Sequence, residues 1–203
     1  LKVYDEDGFC GQGPASRIMV DFFVPRLLEQ GGKTNSEWTH YFWWEIRNFG
    51  YQSPYVAEMF NLDWILLDLL ANRAQKPLHR FLGATKDWAS VYKGGGSVLL
   101  SDEALLDDLL RFKSEGFKIT KFKIGGNGND WSADVRRLEK ARLALGDDFG
   151  IAVDANQAWD ADTAFEFAKA AAPYNVEWFE EPVHAFDMEA LRSLRDQMDN
   201  AGI

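Results

Sequence analysis

The sequence has little cysteine, little positive charge and no long apolar run. Cys10 stands alone among 203 residues, so no internal disulfide can form, and a reducing, cytoplasmic setting is expected. Lys and Arg number 22 against 32 Asp and Glu, a net charge of −10, and no basic cluster stands out. That balance excludes nucleic acid and anionic membrane surfaces as natural partners. No stretch approaches the length of a transmembrane helix, and no secretory signal pattern is visible. A G-x-G-x-x-G phosphate loop is missing too. Gly94-Gly-Gly96 is glycine-rich, but Ser97-Val-Leu-Leu follows it, and it reads as a flexible loop. What is present is 46% hydrophobic residues, enough for a substantial core.

The first part of the chain reads as a hairpin plus helices. Leu1–Tyr4 and Phe9–Gly13 flank the turn Asp5-Glu-Asp-Gly8. Ala15 to Val24 reads as a helix that stops or kinks near Pro25. Thr34-x-x-Glu37 has capping-box spacing and predicts a helix over Asn35–Asn48. Ser53-Pro54 opens a long helix reaching Gln75, with Met59, Leu62, Leu66 and Leu69/Leu70 as its apolar face. Pro77–Leu82 is one short turn of helix, ended by Gly83. Phe42, Trp43 and Trp44 read as core residues. His40 and His79 read as surface or packing residues.

From about Trp88 strands and helices alternate. Strands are expected at Ala89–Lys93, Phe117–Ile124, Phe149–Asp154 and Val176–Glu180, and helices after Ser101 and over Trp131–Leu145, Asp160–Ala172 and Asp187–Asp199. The strand centres Tyr92, Phe122, Val153 and Phe179 recur every 26 to 31 residues, the rhythm of a repeating βα architecture. Half of a (β/α)8 barrel and a small doubly wound sheet both fit four such units. Polar groups at the C-terminal ends of successive strands, with no phosphate loop, suit the barrel.

Those strand ends carry the chemistry. The second strand ends Lys121-Phe-Lys123; a period of two turns both lysines to the barrel interior and Phe122 outward. Two lysines crowded in a low-dielectric site are expected to depress one another's pKa, so that one serves as a general base. Asp154 ends the third strand and Glu180 the fourth, a pair suited to a hard divalent cation. The competing reading is that acids at strand ends cap the helices that follow. Tyr92, Lys93 and His184 lie near the same face and read as bystanders.

Lys121-Phe-Lys123-Ile-Gly, Val153-Asp154-Ala-Asn156-Gln157-Ala-Trp and Trp178-Phe-Glu180-Glu181-Pro, in this order, resemble the mandelate racemase / muconate lactonizing enzyme group of the enolase superfamily. Asp63-Trp-Ile-Leu-Leu-Asp68-Leu-Leu with Lys76–Gly83, and Asp7–Gly13, resemble parts of that family's N-terminal domain. The resemblance implies part of an α+β capping domain at residues 1–85 and the first four βα units of a TIM-type barrel at 86–203. It implies Mg2+ held by Asp154, Glu180 and a third acid on a fifth strand, with Lys123 as the acid/base and Lys121 as its partner on the substrate carboxylate. Glu181 matches a family position that either supports the ligands or serves the structure, and Asn156 either reaches substrate or metal or simply forms the strand-end turn.

The expected activity is abstraction of the α-proton of a small-molecule carboxylate, and most specifically dehydration of a sugar acid. A racemase, epimerase or cycloisomerase of the same superfamily is the alternative. A non-catalytic remnant or binding module is the alternative of another class, opposed by the joint presence of Lys121, Lys123, Asp154 and Glu180. A family-sized protein of roughly 350–400 residues, assembled as a homo-oligomer, is expected, of which these residues are a segment inactive by itself.

Overall fold

The computed structural model describes residues 1–203, which divide into two compact units, Leu1–Ala89 and Ser90–Ile203. In the first, β1 (Lys2–Tyr4) and β2 (Cys10–Gln12) form an antiparallel hairpin with Val3 opposite Gly11. The helices are α1 (Val24–Gln30), α2 (Asn35–Ile46), α3 (Pro54–Arg73) and α4 (Leu78–Phe81). The capping box forms as expected: the Thr34 amide donates to Glu37 Oε2 at 2.7 Å, and the Glu37 amide donates back to Thr34. Met19, Phe23, Trp38, Phe42, Ile46, Met59, Leu62 and Ile65 pack as one core, with the Trp38 and Phe42 rings stacked at 5.5 Å.

Three details differ from the sequence reading. Pro25 does not end its helix. One π-helical turn, Met19–Phe23, runs directly into α1, and the wider turn absorbs the proline, which has no N–H to give. On α3 the buried stripe includes Ile65, and Leu70 is exposed. Trp44 is also exposed, at 56%, beside the buried Phe42.

β2 lies on α3 at a separation only glycine permits. A Cβ on Gly11 would stand 2.1 Å from the Ile65 carbonyl oxygen and 2.7 Å from the Leu69 amide nitrogen. Both are backbone atoms of a regular helix and cannot step aside. Gly11→Ala is therefore expected to destabilise the hairpin-bearing unit by about 1–3 kcal/mol, measurable by urea denaturation.

The second unit holds four parallel strands in the order β3-β4-β5-β6: Lys93–Gly95, Ile119–Lys123, Gly150–Asp154 and Val176–Glu180. Helices α5 (Asp102–Ser114), α6 (Ser132–Leu145), α7 (Ala161–Ala171) and α8 (Met188–Ala201) connect and follow them. Strand order equals chain order, so the crossovers run the same way, and α5, α6, α7 and α8 pack side by side in sequence. A doubly wound sheet would reverse at a switch point; this one does not. Ser101, Asp160 and Asp187 cap α5, α7 and α8 through their side chains, which fixes where three of the strand-to-helix loops end. Phe122 and Val153, fully buried, join Leu105, Leu109, Leu138 and Phe167 in the core under the helices.

Boundaries in this unit fall within two residues of expectation, except at β3. Ala89–Tyr92 are not strand; the strand is Lys93–Gly95, paired to Thr120–Phe122. The glycines serve packing: a Cβ on Gly95 would stand 2.8 Å from the Phe112 ring, so α5 sits directly on the strand. No helix is long and apolar enough to cross a membrane.

Candidate active site

The register places Lys123, Asp154 and Glu180 in one row across the C-terminal ends of β4, β5 and β6. Lys121 stands two residues earlier on β4, on the same side of the sheet, while Phe122 between them is fully buried beneath the helices. Asp154 is 1% exposed and collects donors from three directions. Its Oδ2 accepts from Lys123 Nζ at 2.6 Å and Lys121 Nζ at 2.9 Å, and its Oδ1 accepts from the Asn156 amide at 2.9 Å. Glu180 Oε1 accepts from Lys121 Nζ at 2.7 Å, and Oε2 accepts from the Trp178 indole N–H at 3.0 Å. Two ammonium groups thus meet two carboxylates.

The mutual depression expected of the lysines does not occur at Lys121. Burial does press its pKa down, yet the hydrogen bonds it donates to Glu180 and Asp154, and the charges of both, outweigh that and hold it above the ordinary lysine value. Lys121 has two carboxylates within 2.9 Å of its ammonium, and their charge decides the direction. Asp154 responds in the opposite sense. Burial favours its neutral form, but Lys123, Lys121 and the Asn156 amide together pull its pKa below the usual range. Glu180 is lowered by Lys121 first and Trp178 second.

Of the six residues singled out by sequence, these four come together. The side chains of Asn156 and Glu181 form an exposed pair at the rim, joined to the cluster through the Asn156 amide on Asp154: Asn156 Nδ2 donates to Glu181 Oε2 at 3.1 Å, and Gln157 Nε2 to Oε1 at 3.3 Å. All three adopt the left-handed region, with φ of 47°, 67° and 45° for Asn156, Gln157 and Glu181. Strain of this kind, on the order of 1 kcal/mol or more per residue, is typical beside functional sites. Lys93 turns away from the cleft, its Nζ lying 5.4 Å from the Phe112 ring centroid. His184 is exposed, and its ring accepts from the Phe186 amide at 3.3 Å. Sequence reading gave Trp178 no role and took Tyr92 for a bystander; their rings meet edge to face at 5.0 Å. The available signal was the i, i+2 spacing of Trp178 and Glu180, which puts both on one side of β6.

An open cleft of about 930 Å3 lies over the strand ends, lined by Tyr92, Gly96, Lys121, Lys123, Gly125 and Asn156 among others. Asp154 Oδ2 and Glu180 Oε1 both lie within hydrogen-bond distance of one cationic atom, Lys121 Nζ. Two hard oxygen donors converging on a single positive centre match the way Mg2+ is held by one or two carboxylates with water and substrate. No group of three or more His, Cys, Asp or Glu gathers anywhere in these residues. Lys123, exposed on 36% of its side chain, can exchange protons with a molecule in the cleft.

Residues 104–202 match the family described as Enolase C-terminal domain-like. The chain is 33% identical over 157 residues to the L-talarate/galactarate dehydratase of Salmonella typhimurium, covering 77% of this chain and 39% of that protein. It is 34% identical over 199 residues to the 3,6-anhydro-alpha-L-galactonate cycloisomerase of Streptomyces coelicolor, covering 93% and 54%. Other relatives are epimerases and racemases. A racemase from Streptomyces coelicolor A3(2), crystallised with bound magnesium, superposes with a TM-score of 0.87 at 28% identity over 97% of this chain and 61% of that one. The chain spans roughly 40–60% of the length of these three proteins.

Proposed function

We propose, from the premise that this chain belongs to the mandelate racemase / muconate lactonizing enzyme group of the enolase superfamily, that the protein removes the proton α to a carboxylate in a Mg2+-dependent lyase or isomerase reaction. The observation that carries this reading is the row Lys123, Asp154, Glu180 with Lys121 bridging the two acids. Lys123 takes the α-proton and can give it up again, to the substrate carbon in an isomerisation or to the departing β-hydroxyl, which leaves as water, in a dehydration. Lys121 holds the substrate carboxylate. Asp154 and Glu180 would hold the magnesium ion. When bound, Mg2+ supplies positive charge that offsets the charge accumulating on the substrate carboxylate as the α-proton leaves. The acids that pair with the lysines are the ones that would hold the metal, so the same two carboxylates would govern metal and base together. The Asn156–Glu181 pair keeps the two rim loops joined, and Asn156 lies on the cleft where a substrate hydroxyl can reach it.

Within that chemistry we favour dehydration of a sugar acid, which gives a 2-keto product. Support comes from relatives that are dehydratases of talarate/galactarate, arabinonate and gluconate. Incubating the full-length protein with Mg2+ and a panel of aldonic and aldaric acids in D2O separates the outcomes. A 2-keto product is expected. Deuterium incorporation with inversion and no keto product would move the assignment to racemisation or epimerisation.

A further inference from the structure

Trp178 stands two residues before Glu180 on β6 and on the same side, within reach of the one Glu180 oxygen that no lysine touches. Its indole N–H donates to Oε2 at 3.0 Å, while Lys121 faces Oε1 at 2.7 Å. An indole nitrogen only donates; it cannot ligate a cation or exchange roles with one. Glu180 is accordingly held by one oxygen, and the other is left facing Asp154 Oδ2 across Lys121 Nζ. The indole plane is itself fixed. Tyr92, from the residue before β3, meets it edge to face at 5.0 Å and 71°, and the Lys121 ammonium lies 5.8 Å from the Tyr92 ring centroid. The group draws on β4, β6 and the residue that precedes β3.

We propose that Trp178 is a positioning residue that commits Glu180 to a single metal-facing oxygen, and that Tyr92 holds the indole in the plane this requires. The inference rests on the Mg2+ reading of Asp154 and Glu180. Groups that orient a metal ligand from outside typically change affinity by about 10- to 100-fold when removed. Trp178→Phe keeps an aromatic ring against Tyr92 and deletes only the N–H donor. Tyr92→Leu keeps the N–H and frees the indole.

The test is Mg2+ titration by calorimetry on wild type and both variants, together with the 15N indole resonance of Trp178 and thermal unfolding without metal. Trp178→Phe is expected to weaken Mg2+ binding by about 10-fold or more with little change in melting temperature, and Tyr92→Leu to weaken it by less. The wild-type indole signal is expected to shift on Mg2+ addition, because the carboxylate accepting its proton changes partner. A merely packed tryptophan would show neither effect. A wild type that binds no Mg2+ overturns the metal reading and this inference together. Wild-type binding with Trp178→Phe equally tight and the indole signal unmoved overturns this inference alone. Should Trp178→Phe fail to fold, the wild-type indole signal decides by itself.

Discussion

Replacing Lys123 by alanine is expected to slow exchange of the substrate α-proton by about 100- to 10,000-fold, the usual contribution of a positioned general base. Its Nζ lies 2.6 Å from Asp154, beside the cleft, and its side chain is 36% exposed. Removing it takes one of two ammonium partners from the buried Asp154 while Lys121 keeps the other, so a stability loss of no more than about 2 kcal/mol is expected beside the larger loss on the chemical step. Lys123→Arg is the informative companion. It keeps the positive charge beside Asp154, but a guanidinium does not give up a proton at neutral pH. Both variants are expected to fail in deuterium exchange followed by proton NMR, while both keep binding Mg2+. Exchange by Lys123→Ala at the wild-type rate would place the base elsewhere.

Asp154→Asn is expected to raise the Mg2+ dissociation constant by more than about 100-fold, beyond the range seen for groups that only orient a ligand. The amide matches the carboxylate in shape but lacks its charge. Asp154 is 1% exposed and is the one acid shared by both lysines, so its loss leaves two ammonium groups with only Glu180 between them. Breaking a fully buried ion pair costs about 3–5 kcal/mol; partial exposure of Lys123 and Glu180 reduces the expected loss here to about 2 kcal/mol. The pH dependence has a definite sign. Asp154 has its folded-state pKa lowered, so its contribution is present above the unfolded value of about 3.9 and is lost as pH falls through the lower folded value. Urea midpoints measured from pH 7 downward should fall for wild type in the acid limb below about pH 4 and fall less for Asp154→Asn. Parallel curves would show that Asp154 is not the group responsible.

The four central residues were legible in the sequence because strand geometry is simple. A period of two separates Lys121 and Lys123 from Phe122, and apolar runs that end in acid mark β5 and β6 one unit apart. The position of β3 was not legible. Lys93-Gly-Gly has no strand propensity, and only its pairing to Thr120–Phe122 and the approach of Phe112 make it a strand. Leu70 and Trp44 were misplaced for a related reason, since helical spacing gives a stripe but not the edge at which burial ends. The direction of the Lys121 shift was hidden as well. A Lys-x-Lys motif displays like charges side by side, whereas the deciding carboxylates lie 33 and 59 residues further along the chain.

The unswitched strand order also bears on how this sheet is built. Each strand pairs with the one made just before it: Lys93 with Thr120, Lys123 with Asp154, Asp154 with Glu180, separations of 27, 31 and 26 residues. A newly synthesised strand therefore finds its template already in place at the growing edge, and the loop it must close stays about the same size each time. For a parallel sheet, whose pairings are usually slow and distant, this keeps each entropic step small and lets assembly follow synthesis from the amino terminus. The row of Lys123, Asp154 and Glu180 would then be assembled one rung at a time, with each acid arriving opposite a partner that is already fixed.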